Sequence, residues 1–132
     1  TKGQYSPTSV KGQRTKSSPY GTIERPFMPV IMALASGASF VARSIDRETK
    51  HLAEMLRRAA EHKGTSFVEV YQNCVIFNDG AFSSLTDKEN KKDHVVKMEQ
   101  GKPFVYGKND DKVLHWNGNF YEAKSVSNQA DL

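Results

Sequence analysis

The sequence contains one cysteine, Cys74, and no apolar run of the roughly 18 residues that a membrane span needs. It also shows no signal-peptide pattern. A single cysteine excludes an internal disulfide framework and indicates a reducing compartment. From these absences we expect a soluble, cytoplasmic protein with no membrane association.

Apolar residues are also few, at 37% of the 132 residues, against 26% charged residues. This content is low for a globular domain, although the length is sufficient for one domain with a single core. Two explanations are therefore open. Part of the chain is loop, or part of its apolar surface is completed by a partner.

The excess positive charge is concentrated in residues 1–25. This segment has five basic side chains and one acidic one, whereas the rest of the chain has 14 of each. Its glycine, proline, serine and threonine content is typical of a loop. A basic loop of this length suits an anionic partner, such as a phosphate, a carboxylate substrate or an acidic protein, and a solvated loop is the alternative. No nucleic-acid motif is present, so we expect no nucleic-acid partner.

The apolar spacing between residues 26 and 82 predicts a parallel βαβ unit within an α/β fold. A short apolar helix from Pro29 to Gly37 precedes a strand at 39–43. Asp46 is the predicted N-cap of a helix with i, i+3, i+4 apolar spacing that ends at Gly64, and residues 67–70 form the second strand. Two strands joined in this way are parallel.

The segment 83–132 is predicted to be a C-terminal extension with a small β hairpin. Its first part, 83–93, is polar and reads as a loop with a helical turn. Asn117-Gly118 is a hairpin turn signal, and the tail from Lys124 is expected to be frayed. Short extended pieces are predicted at 95–98, 103–106 and 112–116.

The stretch from Ser66 to Gly80 is the first candidate site, because an apolar strand there turns polar at Gln72-Asn73-Cys74. Ligands in open parallel sheets bind beyond the carboxyl ends of the strands. Cys74 by itself is open to two interpretations: a buried inert thiol, which is the commoner case, or a metal ligand, although one cysteine cannot assemble a four-ligand site. The turn Asn78-Asp79-Gly80 is either a plain turn or part of a cation site.

The second candidate site is the glycine-containing loop that carries Lys2 and Gln4. Its backbone donors and ammonium group suit an anion, and an exposed lysine is the alternative. The four histidines show no recognisable pairing with Cys74, so the pattern for Cys–His nucleophilic chemistry is weak.

Several motifs in this order resemble one known family. Residues 1–8, TKGQYSPT, resemble the T-K-G-Q-x-S-P-T loop of β subunits of 2-oxoacid:ferredoxin oxidoreductases, especially the 2-oxoglutarate type. The resemblance covers residues 1 to about 120 and implies the C-terminal half of such a subunit. The other matching segments are 15–21 (TKSSPYG), 38–43 (ASFVAR), 59–64 (AAEHKG) and 67–82 (FVEVYQNCVIFNDGAF).

The resemblance implies half of a thiamine-diphosphate-binding α/β domain at 26–82, with an active-site loop at 1–25. The implied cofactors are thiamine diphosphate, Mg²⁺ and a 4Fe-4S cluster, and the implied partners are an α subunit and ferredoxin in a hetero-oligomer. Such enzymes convert a 2-oxoacid and coenzyme A to an acyl-CoA and CO₂. The resemblance further implies that Cys74 corresponds to a cluster ligand and Lys2 to the residue that meets the distal carboxylate of 2-oxoglutarate. It also implies that Thr1 and Gln4 would lie close to the cofactor and the substrate.

The sequence departs from the family pattern in three respects. The Gly-Asp-Gly segment and metal ligands that precede the position of Thr1 are absent, as are three further cluster cysteines. Met28 stands where the family has Asn in a P-F-N-P motif. We therefore expect the chain alone to be inactive, with all three cofactors requiring the missing half. The alternatives are a pyruvate or branched-chain 2-oxoacid oxidoreductase, and a basic-loop binding module for anionic partners.

Overall fold

The computed structural model describes residues 3–99 and 101–126. The chain forms two compact units, of which the first ends at Phe82 and the second begins at Ser83. The functional assignments predicted for 1–25, 26–82 and 83–132 remain predictions.

The first unit contains the predicted βαβ element, which the structure confirms. Strand β1 (Phe40–Ile45) and strand β2 (Ser66–Tyr71) are parallel, and helix α2 (Thr49–Glu61) connects them. The register pairs Phe40 with Ser66 and Ile45 with Tyr71, so both strands end at the same edge of the sheet. The apolar stripe of α2 packs on both strands, as its helical spacing predicted.

The boundaries of α2 differ from the prediction. The helix begins at Thr49 and not after Asp46, its N-cap Glu48 makes no side-chain capping bond, and it ends at Glu61, before Gly64. Asp46 lies at the end of the strand and not at the helix start: its backbone N–H continues the strand ladder to Tyr71 O at 2.9 Å, and its Oδ2 accepts from the Asn73 N–H at 3.1 Å. Its carboxylate is thereby placed at the sheet edge, and β1 is longer than predicted.

Few side chains of the first unit are buried. Ile45 is the one buried apolar side chain among the described residues, and Thr22 and Ser44 are buried polar ones. Helix α1 (Pro29–Ala35) forms as predicted, yet Ile31, Met32 and Leu34 on it are each more than half exposed. The low apolar content of the sequence thus corresponds to a small core and an uncovered apolar helix.

Residues 3–28 form a folded loop without a named helix or strand. The N–H of Gly12 donates to Thr22 O at 2.8 Å, and the N–H of Thr22 donates to Gln13 O at 3.1 Å. The Thr22 hydroxyl donates to Val10 O at 2.8 Å. A Cβ at Gly21 would lie 2.7 Å from Gly12 O, so two passes of backbone approach too closely there for a side chain. The predicted loop is therefore held by its own hydrogen bonds.

The second unit is a three-stranded antiparallel sheet preceded by two short helices. The helices are α3 (Ser83–Thr86) and α4 (Lys91–His94), and the strands are β3 (Val105–Tyr106), β4 (Lys112–Trp116) and β5 (Tyr121–Ser125), in the order β3-β4-β5.

The predicted hairpin is present in this sheet, but the prediction for its surroundings was partly wrong. The turn of the hairpin is at Asn117, whose N–H donates to Phe120 O at 3.2 Å. Lys124 and Ser125 belong to β5 because they pair with β4, and only residues 127–132 of the predicted frayed tail lie outside the described residues. Residues 95–98 form no strand.

Candidate functional site

The candidate site lies at the carboxyl edge of the parallel sheet, where β1 and β2 both end. We call residues 72–81 the Cys74 loop. The rings of Tyr71 and Phe82 close its base, stacked with centroids 4.7 Å apart and planes 6° from parallel. Arg43 lies over the Tyr71 ring at 4.9 Å. The loop therefore leaves and rejoins the fold at one fixed point.

Asn73 makes the central contacts of the Cys74 loop. Its side-chain amide donates to Asp79 Oδ1 at 2.7 Å, and its Oδ1 accepts from the N–H of Gly80 at 3.0 Å. Its backbone N–H donates to Asp46 Oδ2 at 3.1 Å. One residue thus bridges the two arms of the loop and connects them to the end of β1.

Cys74 follows directly and is exposed. Its carbonyl accepts from the N–H of Asn78 at 2.9 Å, which closes a tight turn. The backbone N–H of Phe77, and after it those of Ile76 and Asn78, hydrogen-bond the sulfur and lower the pKa of the thiol, while partial desolvation acts the other way. The interpretation of Cys74 as a buried, inert thiol is therefore wrong.

This geometry suits a metal-ligating cysteine. The thiolate is the ligating form, and N–H groups directed at cysteine sulfur are among the features that set the potential of iron–sulfur clusters. Cys74 fits one ligand position. Across residues 3–99 and 101–126, no three His, Cys, Asp or Glu side chains are grouped to hold a metal ion. The described residues therefore fit one ligand of a cluster, and neither a cluster nor Mg²⁺ is held by them alone.

The loop that carries Gln4 lies beside the Cys74 loop. A Cβ built at Gly3 would be 3.7 Å from Phe77 Cδ1, and Gln4, the next residue, is exposed. Thr1 and Lys2, the other two predicted site residues of this segment, lie outside the described residues. The structure thus brings together two sequence-predicted segments, around Gln4 and Cys74, that are about 70 residues apart.

Directly after Gln4 the loop lines a cavity of about 300 Å³ that is open to solvent. The N–H of Phe27 donates to Pro7 O at 2.7 Å and so joins its two sides. Sequence reasoning missed this cavity because its two sides come from distant parts of an irregular loop with no periodic signal. Its lining is Tyr5, Ser6, Pro7, Ser9, Thr22, Glu24, Arg25 and Phe27.

Two histidines pair with serines and not with Cys74. His51 Nδ1 lies 2.9 Å from Ser44 Oγ, and His62 Nε2 lies 2.7 Å from Ser39 Oγ. Both pairs connect α2 to the β1 region.

In the described part of the chain, no helix is both long and apolar enough to cross a membrane.

Residues 1–70 match the family described as thiamine pyrophosphate enzyme, C-terminal TPP binding domain. The chain is 50% identical over 109 residues to 2-oxoglutarate oxidoreductase subunit KorB of Mycobacterium tuberculosis, covering 83% of this chain and 29% of that relative. It is 34% identical over 139 residues to the 2-oxoacid:ferredoxin oxidoreductase subunit beta of Saccharolobus solfataricus, covering 96% of this chain and 46% of the relative.

A solved structure agrees with these matches. The 2-oxoglutarate:ferredoxin oxidoreductase from Magnetococcus marinus, solved with 2-oxoglutarate, coenzyme A and succinyl-CoA bound, superposes with a TM-score of 0.62 at 31% identity, over 76% of this chain and 33% of that one.

The similarity covers a limited part of each relative, because the chain spans 29% to 46% of the two curated relatives' lengths. The resemblance to 2-oxoacid:ferredoxin oxidoreductase β subunits that the sequence motifs indicated is nevertheless confirmed. The fold class is confirmed as well. The chain belongs to the family of thiamine pyrophosphate enzymes and carries their C-terminal TPP-binding domain.

Proposed function

We propose that this chain is part of the β subunit of a 2-oxoglutarate:ferredoxin oxidoreductase. The complete enzyme would convert 2-oxoglutarate and coenzyme A to succinyl-CoA and CO₂, with two electrons passing to ferredoxin. Support comes from the identity to a 2-oxoglutarate oxidoreductase subunit and from the likeness to a solved enzyme with 2-oxoglutarate, coenzyme A and succinyl-CoA bound.

The observation that carries the proposal is the exposed Cys74 in a turn lined by backbone N–H groups, beside the Gln4 loop. An electron-transferring enzyme needs a one-electron carrier close to the reacting centre. We assign Cys74 as one thiolate ligand of a 4Fe-4S cluster, which would supply that carrier. The remaining ligands would come from outside the described residues.

We assign substrate and cofactor contacts to the start of the chain. Lys2 would bind the distal carboxylate of 2-oxoglutarate through a charge-assisted hydrogen bond, Gln4 would contact the substrate, and Thr1 would lie against the cofactor. Thiamine diphosphate with Mg²⁺ would supply the carbanion chemistry that 2-oxoacid decarboxylation requires. The protein's part is to orient the substrate and to exclude water.

The proposed assembly is a hetero-oligomer with an α subunit, working in the cytoplasm with ferredoxin as electron acceptor. The uncovered apolar face of α1 is consistent with a chain that is completed by other protein. Other 2-oxoacids, pyruvate or a branched-chain acid, are the alternative substrates, and they lack the distal carboxylate.

The test of the substrate is Lys2→Ala in the complete enzyme, assayed with 2-oxoglutarate and with pyruvate. Removing one charge-assisted hydrogen bond, worth about 1.5–3 kcal/mol, should lower kcat/KM for 2-oxoglutarate roughly 10- to 150-fold. The value for any pyruvate activity should change far less. Lys11→Ala, in the same loop, is the matched control for loss of basic charge. Equal losses on the two substrates would contradict the assignment of Lys2.

A further inference from the structure

We propose that Asn73 is a positioning residue for Cys74: by bridging both arms of the Cys74 loop it holds the thiol in place to bind iron. This inference rests on the proposed function, since it concerns the cluster ligand assigned there. Asn73 itself touches neither substrate nor iron in this scheme.

Hydrogen bonds to both arms of the loop converge on the Asn73 side chain. Its amide nitrogen donates to Asp79 Oδ1 at 2.7 Å while its amide oxygen accepts from the Gly80 N–H at 3.0 Å. A side-chain amide can donate to a carboxylate through its NH₂ group and accept from a backbone N–H through its oxygen at the same time. Asn73 is therefore matched to both partners across the loop.

Other contacts hold the Cys74 loop at its base and at its tip. Below Asn73 the Tyr71–Phe82 stack fixes the base, and above it the Asn78 N–H to Cys74 O bond closes the tip. Most of the loop is exposed, and none of its apolar side chains is fully buried. Side-chain hydrogen bonds, and not packing, must therefore fix its middle.

Asn73 also connects the Cys74 loop to the parallel sheet. The backbone N–H of Asn73 donates to Asp46 Oδ2, so the residue before Cys74 is tied to the end of β1 as well as to β2. The backbone groups of residues 76–78, which lower the pKa of the Cys74 thiol, belong to this same loop, so their placement depends on its shape. Loss of the Asn73 bridge should move these backbone groups away from the Cys74 sulfur and leave the thiol less firmly positioned to bind iron.

The two bridging residues offer a matched set of variants. In N73D the carboxylate still accepts from Gly80, but its other oxygen faces the Asp79 carboxylate with no proton between them. In the swap N73D/D79N, the amide at 79 donates to the carboxylate at 73, so the bond returns with its direction reversed and the net charge unchanged. D79N alone keeps a donor at 73 and an acceptor at 79, and so removes a charge without breaking the bridge.

The measurement uses the complete subunit with its partner subunit, purified without air. Three quantities are compared among the wild type, N73D, D79N and N73D/D79N. They are iron per β subunit, the midpoint potential of the cluster, and amide hydrogen exchange of residues 72–81 in the iron-free protein. Thermal unfolding checks that each variant is folded. The potential and the exchange rates report on the loop, which a general loss of stability would not single out.

We expect N73D to exchange the Gly80 and Asn78 amides roughly tenfold faster, as loss of about one charge-assisted hydrogen bond implies. We also expect less iron and a lower midpoint potential in N73D. The swap N73D/D79N should restore the iron content, the midpoint potential and the exchange rates of the wild type. D79N alone should keep the wild-type iron content and the slow amide exchange.

Each outcome is decisive. Iron-loaded wild type with N73D unchanged in exchange and potential overturns the inference, as does a swap that stays as impaired as N73D. Wild type without iron overturns the proposed function and this inference with it. If N73D does not accumulate, the swap decides alone: wild-type iron and exchange support the bridge, and their loss contradicts it.

Discussion

The chemistry of Cys74 depends on the backbone around it more than on neighbouring side chains. The N–H groups of Phe77, Ile76 and Asn78 hydrogen-bond its sulfur and lower the pKa of the thiol below its ordinary value. An exposed cysteine in such a turn is available as a thiolate at lower pH than a free one.

This shift gives a prediction for the iron-free protein. The rate of alkylation of Cys74 by iodoacetamide follows the thiolate fraction, so its half-maximal value should lie at lower pH in the folded chain than in the same chain unfolded in urea. The measurement is the pH profile of modification, followed by mass spectrometry. Coincident profiles for the folded and unfolded chain would contradict the effect of the three N–H groups.

The sequence predicted part of this site. A polar cluster after an apolar strand indicated the place of Cys74, and the family motifs indicated its role. Its exposure and its N–H partners were not predictable, because they depend on the turn from Cys74 to Asn78 and on the Asp46–Asn73 bond, whose partners are 27 residues apart. No periodic pattern reports a contact of that kind.

Among the elements, the N-terminal loop shows how glycine permits close packing without a regular helix or strand. Gly21 has a φ of 92° and would place a Cβ 2.7 Å from Gly12 O, whereas Gly12 has a φ of 85° with open space around it. The two positions share a left-handed backbone and differ in the space available.

Gly21→Ala should therefore cost more stability than Gly12→Ala. In both variants an alanine must adopt a left-handed backbone conformation, which lowers the free energy of unfolding by about 1–3 kcal/mol. Gly21→Ala adds a steric clash with the backbone of Gly12, so its loss should be larger. Urea unfolding of the two variants beside wild type measures the difference. Equal losses would show that the close approach of the two passes is not a fixed feature of the loop.

In the second unit an ion pair connects α4 to β4. Asp93 Oδ1 lies 2.8 Å from Lys112 Nζ, and Lys108 Nζ lies 4.0 Å from the other oxygen. The hydrogen bond from Lys112, ahead of the charges of both lysines, lowers the pKa of Asp93 below its ordinary 3.8.

The sign of the pH dependence follows from that direction. A carboxylate whose pKa is lower in the folded state stabilises the fold above its ordinary pKa, and this contribution is lost as pH falls through the folded value. Wild type should thus exceed Asp93→Asn in free energy of unfolding at pH 7, with the difference shrinking below about pH 4. Urea unfolding at several pH values measures it. A difference that grows on acidification would contradict the ion pair.

Prediction of the elements succeeded where the signal is local. The spacing of Leu52, Met55 and Ala59 is enough to predict α2, and Asn117-Gly118 is enough to predict a hairpin. The end of strand β5 was missed because Lys124 and Ser125 are polar and resemble a tail. Their pairing with β4 depends on the tertiary fold, which the local sequence does not indicate. Asp46 was misread as a helix cap for the same reason.

At the scale of the molecule, the low apolar content of the sequence corresponds to a small core and an apolar helix that stays exposed. Ile31, Met32 and Leu34 on α1 remain exposed, while Ile45 is the one buried apolar side chain of the described residues. These features and the family match over residues 1–70 support the proposal that the chain works as part of a larger enzyme.

We propose above all that Cys74 binds the iron–sulfur cluster of that enzyme. The most direct measurement is iron per β subunit in the complete complex purified without air, for wild type and Cys74→Ser, together with the absorbance near 400 nm. We expect the wild type to be brown and to carry about four irons per β subunit, and the variant to lose iron and colour while it still assembles with its partner. Equal iron in both proteins, or none in the wild type, would contradict the account.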